Sequence, residues 1–281
     1  MDPQALDDLK SRYERDGFVA VEGVLGAEEV ATLEAEAAAI VRGRRGLVIG
    51  ADAADGRSDD ELMGDVLAIH FPHKASEVMR AAMRHPKVVE LLTTLIGPDV
   101  KAMQTMLFVK RAGKPGQAWH QDEHYIPTRD RSLIGAWIAL DDASEENGCL
   151  WMHPGSHRDG VLYPTKPHGD PRFDHSEEAH GFPYEREGGE SVPLKAGGVA
   201  LFNGYVLHRS LQNGAPGGFR RALVTHYMSA RSLLPWGFGA ARAKADFRDI
   251  ELVAGRDPYA WRGTEDVTFP FVRPESPERA G

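Results

Sequence analysis

The chain has 281 residues, 42% apolar and 27% charged, the composition of a folded globular protein whose core is large enough to do without disulfides. With 33 basic against 42 acidic residues the formal charge is −9, so no basic field exists to attract nucleic acid or anionic lipid. The single cysteine (Cys149), the acidic start Met1–Leu6 and the lack of any apolar run beyond about 133–140 predict a cytoplasmic protein with no signal segment or membrane span.

The pattern predicts one domain over 1–281, with a mostly helical part at 1–99, a β core at 100–230 and a C-terminal extension at 231–281. A short strand is expected between Gly17 and Leu25. A helix over Ala27–Arg42 follows from Val30, Leu33, Ala37, Ile40 and Val41 on one face, with Glu28 and Glu29 at its start and arginines at its end. A second helical region opens at Ser76, breaks before Pro86 and ends at Gly97. From Val100 the period changes to two. Strands are expected at 101–110, 117–122, 133–141, 149–152, 160–163, 191–195, 199–203, 205–209 and 219–229, separated by Asn-Gly, Pro-Gly and Gly-Gly turns, the sign of a sandwich or barrel. The stretch 165–190 breaks that rhythm and is expected to be a lid-like insertion, with His168, Arg172, Tyr184 and Arg186 as substrate contacts. The aromatics Trp236, Phe238, Phe247 and Trp261 fall in a region without a clear period, and 273–281 is expected to fray.

The most informative segment is Trp119-His120-Gln121-Asp122-Glu123-His124. In a strand, positions i and i+2 share a face, so His120 and Asp122 can meet one ion, with His208 of the run 205–210 as the third ligand from a neighbouring strand. Two imidazoles and a carboxylate leave three positions of an octahedral ion open, the arrangement that non-haem Fe(II) oxygenases use to bind a bidentate co-substrate and O2. Arg220 opens the next strand and supplies a planar fork for a carboxylate, which the far end of 2-oxoglutarate requires, and Ser210 shares the His208 face.

These residues sit in motifs that resemble a known family. The run 119–127, Gly135-Ala-Trp-Ile-Ala-Leu-Asp-Asp142, Glu146-Asn-Gly-Cys-Leu-Trp151, Pro154-Gly-Ser-His157, His208-x-Ser210 and Gly218-Phe-Arg220 are similar to the phytanoyl-CoA dioxygenase family of Fe(II)/2-oxoglutarate oxygenases, as is the opening Asp16-Gly-Phe-Val-Ala-Val21. The resemblance implies a mainly β fold, a double-stranded β-helix or jelly roll buttressed by N-terminal helices. It makes His120, Asp122 and His208 the iron ligands and Arg220 with Ser210 the 2-oxoglutarate clamp. Met106, Trp137 and Lys110 become further co-substrate contacts and Gln104 a substrate contact; period two puts Gln104, Met106, Phe108 and Lys110 on one face. The implied reaction is hydroxylation of an unactivated C–H bond of a small metabolite, with release of succinate and CO2. A carboxylate at Asp122 sets the chain apart from halogenases, which leave that ligand position to chloride.

Two departures bear on this. Acyl-CoA-acting relatives carry a lysine near the position of Leu62, which weakens the inference of the same substrate, and the sequence has no phosphate-cradling glycine loop or basic cluster, which favours a small polar metabolite over a CoA thioester. The spacing from His208 to Arg220 is one residue longer than usual, which keeps Arg221 as a rival clamp. His157 reads as a turn residue, His124 lies beyond the metal motif, and Asp141 and Asp142 read as capping groups. A zinc-dependent hydrolase or isomerase uses a similar ligand set, and a binding protein retaining the jelly roll is the non-catalytic alternative.

Overall fold

The computed structural model describes residues 1–51, 56–174, 177–233, 250–264 and 268–274. His175 and the aromatics Trp236, Phe238 and Phe247 lie outside the described residues.

Helix α1 (Pro3–Asp16) starts behind an Asp2 cap and stops at Gly17, whose φ of 85° lies in the left-handed region. A Cβ on Gly17 would also lie 2.4 Å from His157 Nδ1, which is how the turn containing His157 packs on the helix end. Strand β1 (Phe18–Val21) follows, then α2 (Ala27–Val41), which buries Val30, Leu33, Ala37, Ile40 and Val41 as the spacing predicts. The next elements are α3 (Asp59–Gly64), β2 (Val66–His70), α4 (Pro72–Ala75), α5 (Glu77–Ala82) and α6 (Pro86–Ile96). Ser76 caps α5 and Pro86 opens α6, so the expected interruption falls between them. Val88, Leu91 and Leu92 are buried on α6, each side chain contributing about 1.5–3 kcal/mol.

The β region comprises β3 (Val100–Arg111), β4 (Gln117–His120), the one-turn helix α7 (Asp122–Tyr125), β5 (Ile134–Ala139) and β6 (Leu150–Met152). It continues through the ribbon β7 (Thr165–Lys166) and β8 (Glu178–Ala179), then β9 (Glu190–Val192), β10 (Val199–Asn203), β11 (His208–Ser210), β12 (Phe219–Ser229), β13 (Glu251–Ala254) and β14 (Phe271–Pro274). Among the described residues they form a large antiparallel sheet in the order β1-β10-β5-β12-β3-β2-β14, with β13 also on β3, and a small sheet in the order β4-β11-β6-β9. This is a double-stranded β-helix, the jelly roll expected.

The outer face of the large sheet and the helices share one core, in which Leu33, Ile40, Met79 and Leu91 join Leu107, Ile138, Leu201, Leu223 and Tyr227. Between the sheets a second core holds Trp137, Cys149, Leu150, Met152 and Phe202. Strand alternation on β12 therefore sorts chemistry. Leu223 and Tyr227 go to the helical core, whereas Arg220, Val224 and His226 line the space between the sheets.

Four expectations need correction. Residues 160–163 form no strand, because the Gln121 side chain satisfies their backbone: its Nε2 donates to Val161 O at 2.9 Å, and Tyr163 N donates to its Oε1 at 2.9 Å. Residues 205–207 precede the strand, which covers only His208–Ser210. The strand expected at 117–122 ends at His120. Phe271–Pro274 is an ordered edge strand paired with β2, so the fraying expected from 273 does not hold for Arg273 and Pro274.

Candidate active site

Strand β4 delivers His120 directly opposite His208 on β11, and the two rings lie 4.0 Å apart. Asp122 arrives differently from the strand geometry expected: it opens α7, and the turn rather than strand alternation brings it back onto the histidines. Gln121 anchors that turn, its Nε2 donating also to Tyr205 O at 2.7 Å. One ligand atom from each of His120, Asp122 and His208 lies within 4.8 Å of the others, and all three residues are buried. His120 Nδ1 donates to Ala118 O at 2.8 Å and His208 Nδ1 to Val206 O at 3.0 Å, so each Nε2 keeps its lone pair. Those Nε2 atoms lie 3.8 and 3.6 Å from Asp122 Oδ1.

The electrostatics suit a divalent ion. Burial, reinforced by His208, pushes the His120 imidazole down to about 4, so it is neutral and able to ligate at neutral pH. Burial would raise Asp122, but His208, His226 and His120 together outweigh it and hold the carboxyl well below the usual carboxylate range. Two imidazoles and an ionised carboxylate form a donor set that fits iron.

These groups open into a cavity of about 510 Å³, in the range of small-molecule sites. Its floor is the large sheet, seen row by row. Arg220 pairs with Lys110; two residues on, Ala222 pairs with Phe108; the next row runs Trp137–Val224–Met106–His70–Phe271 across five strands. His226 stands in the last row between Gly135 and Gln104.

Arg220 is buried, its Nε has no hydrogen-bond partner, and it makes no ion pair among the described residues. Its guanidinium lies 5.3 Å from the Trp137 ring. Burial lowers its pKa only to about 10, so it remains a cation at neutral pH with no answering acid among the described residues. Arg221 faces the other way and is engaged by Asp141 at 2.7 Å and by Glu34 of α2. Ser210 Oγ accepts from Lys110 Nζ at 2.9 Å and from Gln117 N at 3.3 Å. With both acceptor positions used, its O–H is left to donate. Lys110 also donates to Leu211 O at 2.5 Å, so it braces Ser210 from behind.

At the opposite end the wall consists of Leu67, His70, Gln104, Tyr125, Asp174, Glu177 and Arg273. The insertion thus contributes acidic groups. The residues expected from it do not line the cavity: Arg172 pairs with Asp170, Arg186 with Glu178, Tyr184 stacks on His153, and His168 packs against Phe173. His124 is exposed, His157 packs against α1, and Asp142 holds Lys195, as structural readings of these residues require. Sequence reasoning missed His226 and His70. His226 was detectable by its parity with Arg220 on β12, whereas His70 comes into view only through the pairing of β2 with β3, which sets it opposite Met106.

Residues 13–222 match the family model described as phytanoyl-CoA dioxygenase (PhyH). The chain belongs to the phytanoyl-CoA dioxygenase family. The peroxisomal phytanoyl-CoA dioxygenase of Rattus norvegicus is 27% identical over 230 residues, covering 78% of this chain and 67% of that protein. The non-haem epimerase SnoN, solved with Fe3+, alpha-ketoglutarate and nogalamycin RO, is 25% identical with a TM-score of 0.65 over 86% of this chain and 93% of its own. The apo form of the non-haem monooxygenase ThoJ has a TM-score of 0.67 at 23% identity, over 96% and 89% of the two chains. Family membership carries the class of chemistry, oxygenation dependent on iron, 2-oxoglutarate and O2. No helix among the described residues is long and apolar enough to cross a membrane.

Proposed function

We propose that this chain, read as one catalytic domain, hydroxylates an unactivated C–H bond of a small metabolite and converts 2-oxoglutarate to succinate and CO2. The observation that carries the reading is the convergence of His120, Asp122 and His208 in the same cavity as a buried, unpaired Arg220. His120, Asp122 and His208 would hold the iron, which when bound supplies the activation of O2 needed to attack such a bond. Arg220 and the Ser210 hydroxyl grip the far carboxylate of 2-oxoglutarate, and Lys110 keeps the Ser210 oxygen turned so that its proton is the one offered. Trp137, Met106 and Phe108 exclude water along the carbon chain between that grip and the metal residues.

The substrate would then lie over the β2–β3 side, against Leu67, His70 and Gln104, which fixes the bond presented to the metal. Burial, aided by Arg273, pushes the His70 imidazole down to about 4, so it offers a neutral hydrogen bond rather than a charge. That favours an uncharged hydroxyl, carbonyl or amide on the substrate. Leu62, where acyl-CoA-acting relatives carry a lysine, is buried in the helical core, which supports a small polar molecule over a CoA thioester.

Anaerobic addition of Fe(II) and 2-oxoglutarate is expected to give a weak visible charge-transfer band, and a screen of metabolites for accelerated succinate release identifies the substrate. Absence of the band sinks the reading; turnover with zinc and without O2 favours the hydrolase alternative. The likeness to SnoN supports a second reading, epimerisation at carbon, and product mass separates the two, because hydroxylation adds one oxygen atom and epimerisation none.

A further inference from the structure

We propose that His226 is a positioning residue that confines Asp122 to single-oxygen ligation and so keeps one metal position open; the inference rests on the metal reading above. Asp122 has two carboxylate oxygens with different surroundings. Oδ1 is the one 3.6 and 3.8 Å from the two imidazole Nε2 atoms, while Oδ2 accepts a hydrogen bond from His226 Nε2 at 3.0 Å. A carboxylate only accepts, so the imidazole proton in this contact belongs to Nε2. His226 is buried, and its Nδ1 has no partner among the described residues, so no second hydrogen bond there pulls the ring away from Asp122.

The fold builds this contact deliberately from backbone features. His226 is the register partner of Gly135 on β5, where the Phe202 ring takes the place a Cβ would need, 2.6 Å away. The register between β12 and β3 shifts just after His226, the kind of irregularity that re-aims a side chain at a site. Ala118 O and Val206 O do for the two histidine ligands what His226 does for Asp122.

The consequence is a matter of counting. Two imidazoles and one carboxylate oxygen leave three of six positions, two for a chelating keto acid and one for O2. A carboxylate bound through both oxygens would take that last position. A hydrogen bond of this charge-assisted kind, in a buried setting, holds Oδ2 away from the ion.

The test is Mn(II) binding to the metal-free full chain, followed by loss of the free-ion EPR signal, with and without 2-oxoglutarate. His226→Leu is expected to weaken Mn(II) binding about 10- to 100-fold, and, with 2-oxoglutarate bound, to lose the exchangeable water that the open position of the wild-type Mn(II) complex keeps, read as a drop in water-proton relaxation. His226→Gln keeps an N–H at similar reach and is expected to stay within a few-fold of wild type. Equal affinity in the Leu variant and wild type overturns the proposal, as does a loss in the Gln variant as large as in the Leu variant. If the Leu variant does not fold, His226→Asn, whose amide is too short to reach Oδ2, replaces it under the same criteria. A wild-type chain that takes up no Mn(II) overturns the metal reading itself, a result distinct from either of these.

Discussion

The guanidinium of Arg220 lies over the Trp137 indole at 5.3 Å, and among the described residues no acid answers its charge. In the proposed function that pairing is the socket for the far carboxylate of 2-oxoglutarate. Charged hydrogen bonds of this kind are worth about 1.5–3 kcal/mol, so Arg220→Ala is expected to raise the 2-oxoglutarate concentration needed for half-maximal succinate release roughly 10- to 100-fold. Arg221→Ala, which removes a pairing with Asp141 outside the cavity, is expected to leave that requirement within a few-fold. A matched loss in both variants would contradict the assignment.

The same unpaired charge has a thermodynamic cost in the absence of ligand. Replacing a buried ionic group by an apolar one of similar volume is often neutral or stabilising, so Arg220→Met is expected to raise the melting temperature of the ligand-free protein. 2-Oxoglutarate with Mn(II) is expected to stabilise wild type and to do so much less in the variant. Differential scanning fluorimetry checks both; a melting temperature that falls in Arg220→Met would mean that Arg220 has a structural partner.

How much of this was legible in the sequence depends on which constraint fixed each residue. The rows of the large sheet follow period two, and so Gln104, Met106, Phe108 and Lys110 lie on the cavity side together, as alternation predicts. Asp122 was found for the wrong geometric reason: no local signal marks the end of β4 at His120, because the turn is fixed by Gln121 bonding to Tyr205 and Val161, far away in the chain. The cavity wall at Asp174 and Arg273 was not legible for the same reason. An insertion and a short C-terminal strand meet there through tertiary pairing, with Phe271 opposite His70 and Asp174 N donating to Gly116 O at 2.8 Å.

Acid stability follows from the buried histidines. His70, His120 and His153 are each held neutral down to about 4, by burial first, with Arg273, His208 and Arg209 adding respectively. Since an unfolded histidine titrates near 6.5, their contribution is complete above that pH and is lost as pH falls from 6.5 towards 4. Glu123 works in the opposite sense: burial raises it to about 7, so its contribution is present below its ordinary 4.5 and disappears as pH rises through 7. These three histidines, with His157 lowered by burial in the same sense, outnumber Glu123 and Glu34, which burial raises, so the urea midpoint of the metal-free protein is expected to fall between pH 6.5 and 4. His70→Gln is expected to flatten that decline and Glu123→Gln to steepen it. A midpoint independent of pH in this window would show that these side chains titrate normally.

Arg273 of β14 lies 3.6 Å from Asp174 of the insertion, and the two close the cavity wall beside His70. Phe173 is buried next to Asp174 and forms a backbone bridge to Gly116, just before β4. The insertion is therefore a docked strap, and Arg273 ties its inner edge to the C-terminal strand. Ion pairs with this degree of exposure are worth only about 0.2–1 kcal/mol, so Arg273→Ala is expected to change the melting temperature by only a few degrees. Its effect is expected at the substrate end: a higher KM for the metabolite that accelerates succinate release, with the 2-oxoglutarate KM held within a few-fold because Arg220 and Ser210 lie at the opposite end of the cavity. Asp174→Asn is expected to reproduce the direction, and the double variant to add little beyond either change, the sign of one shared contact. Steady-state kinetics on the three variants decide the matter, and a substrate KM unchanged in all of them would place the substrate away from this wall.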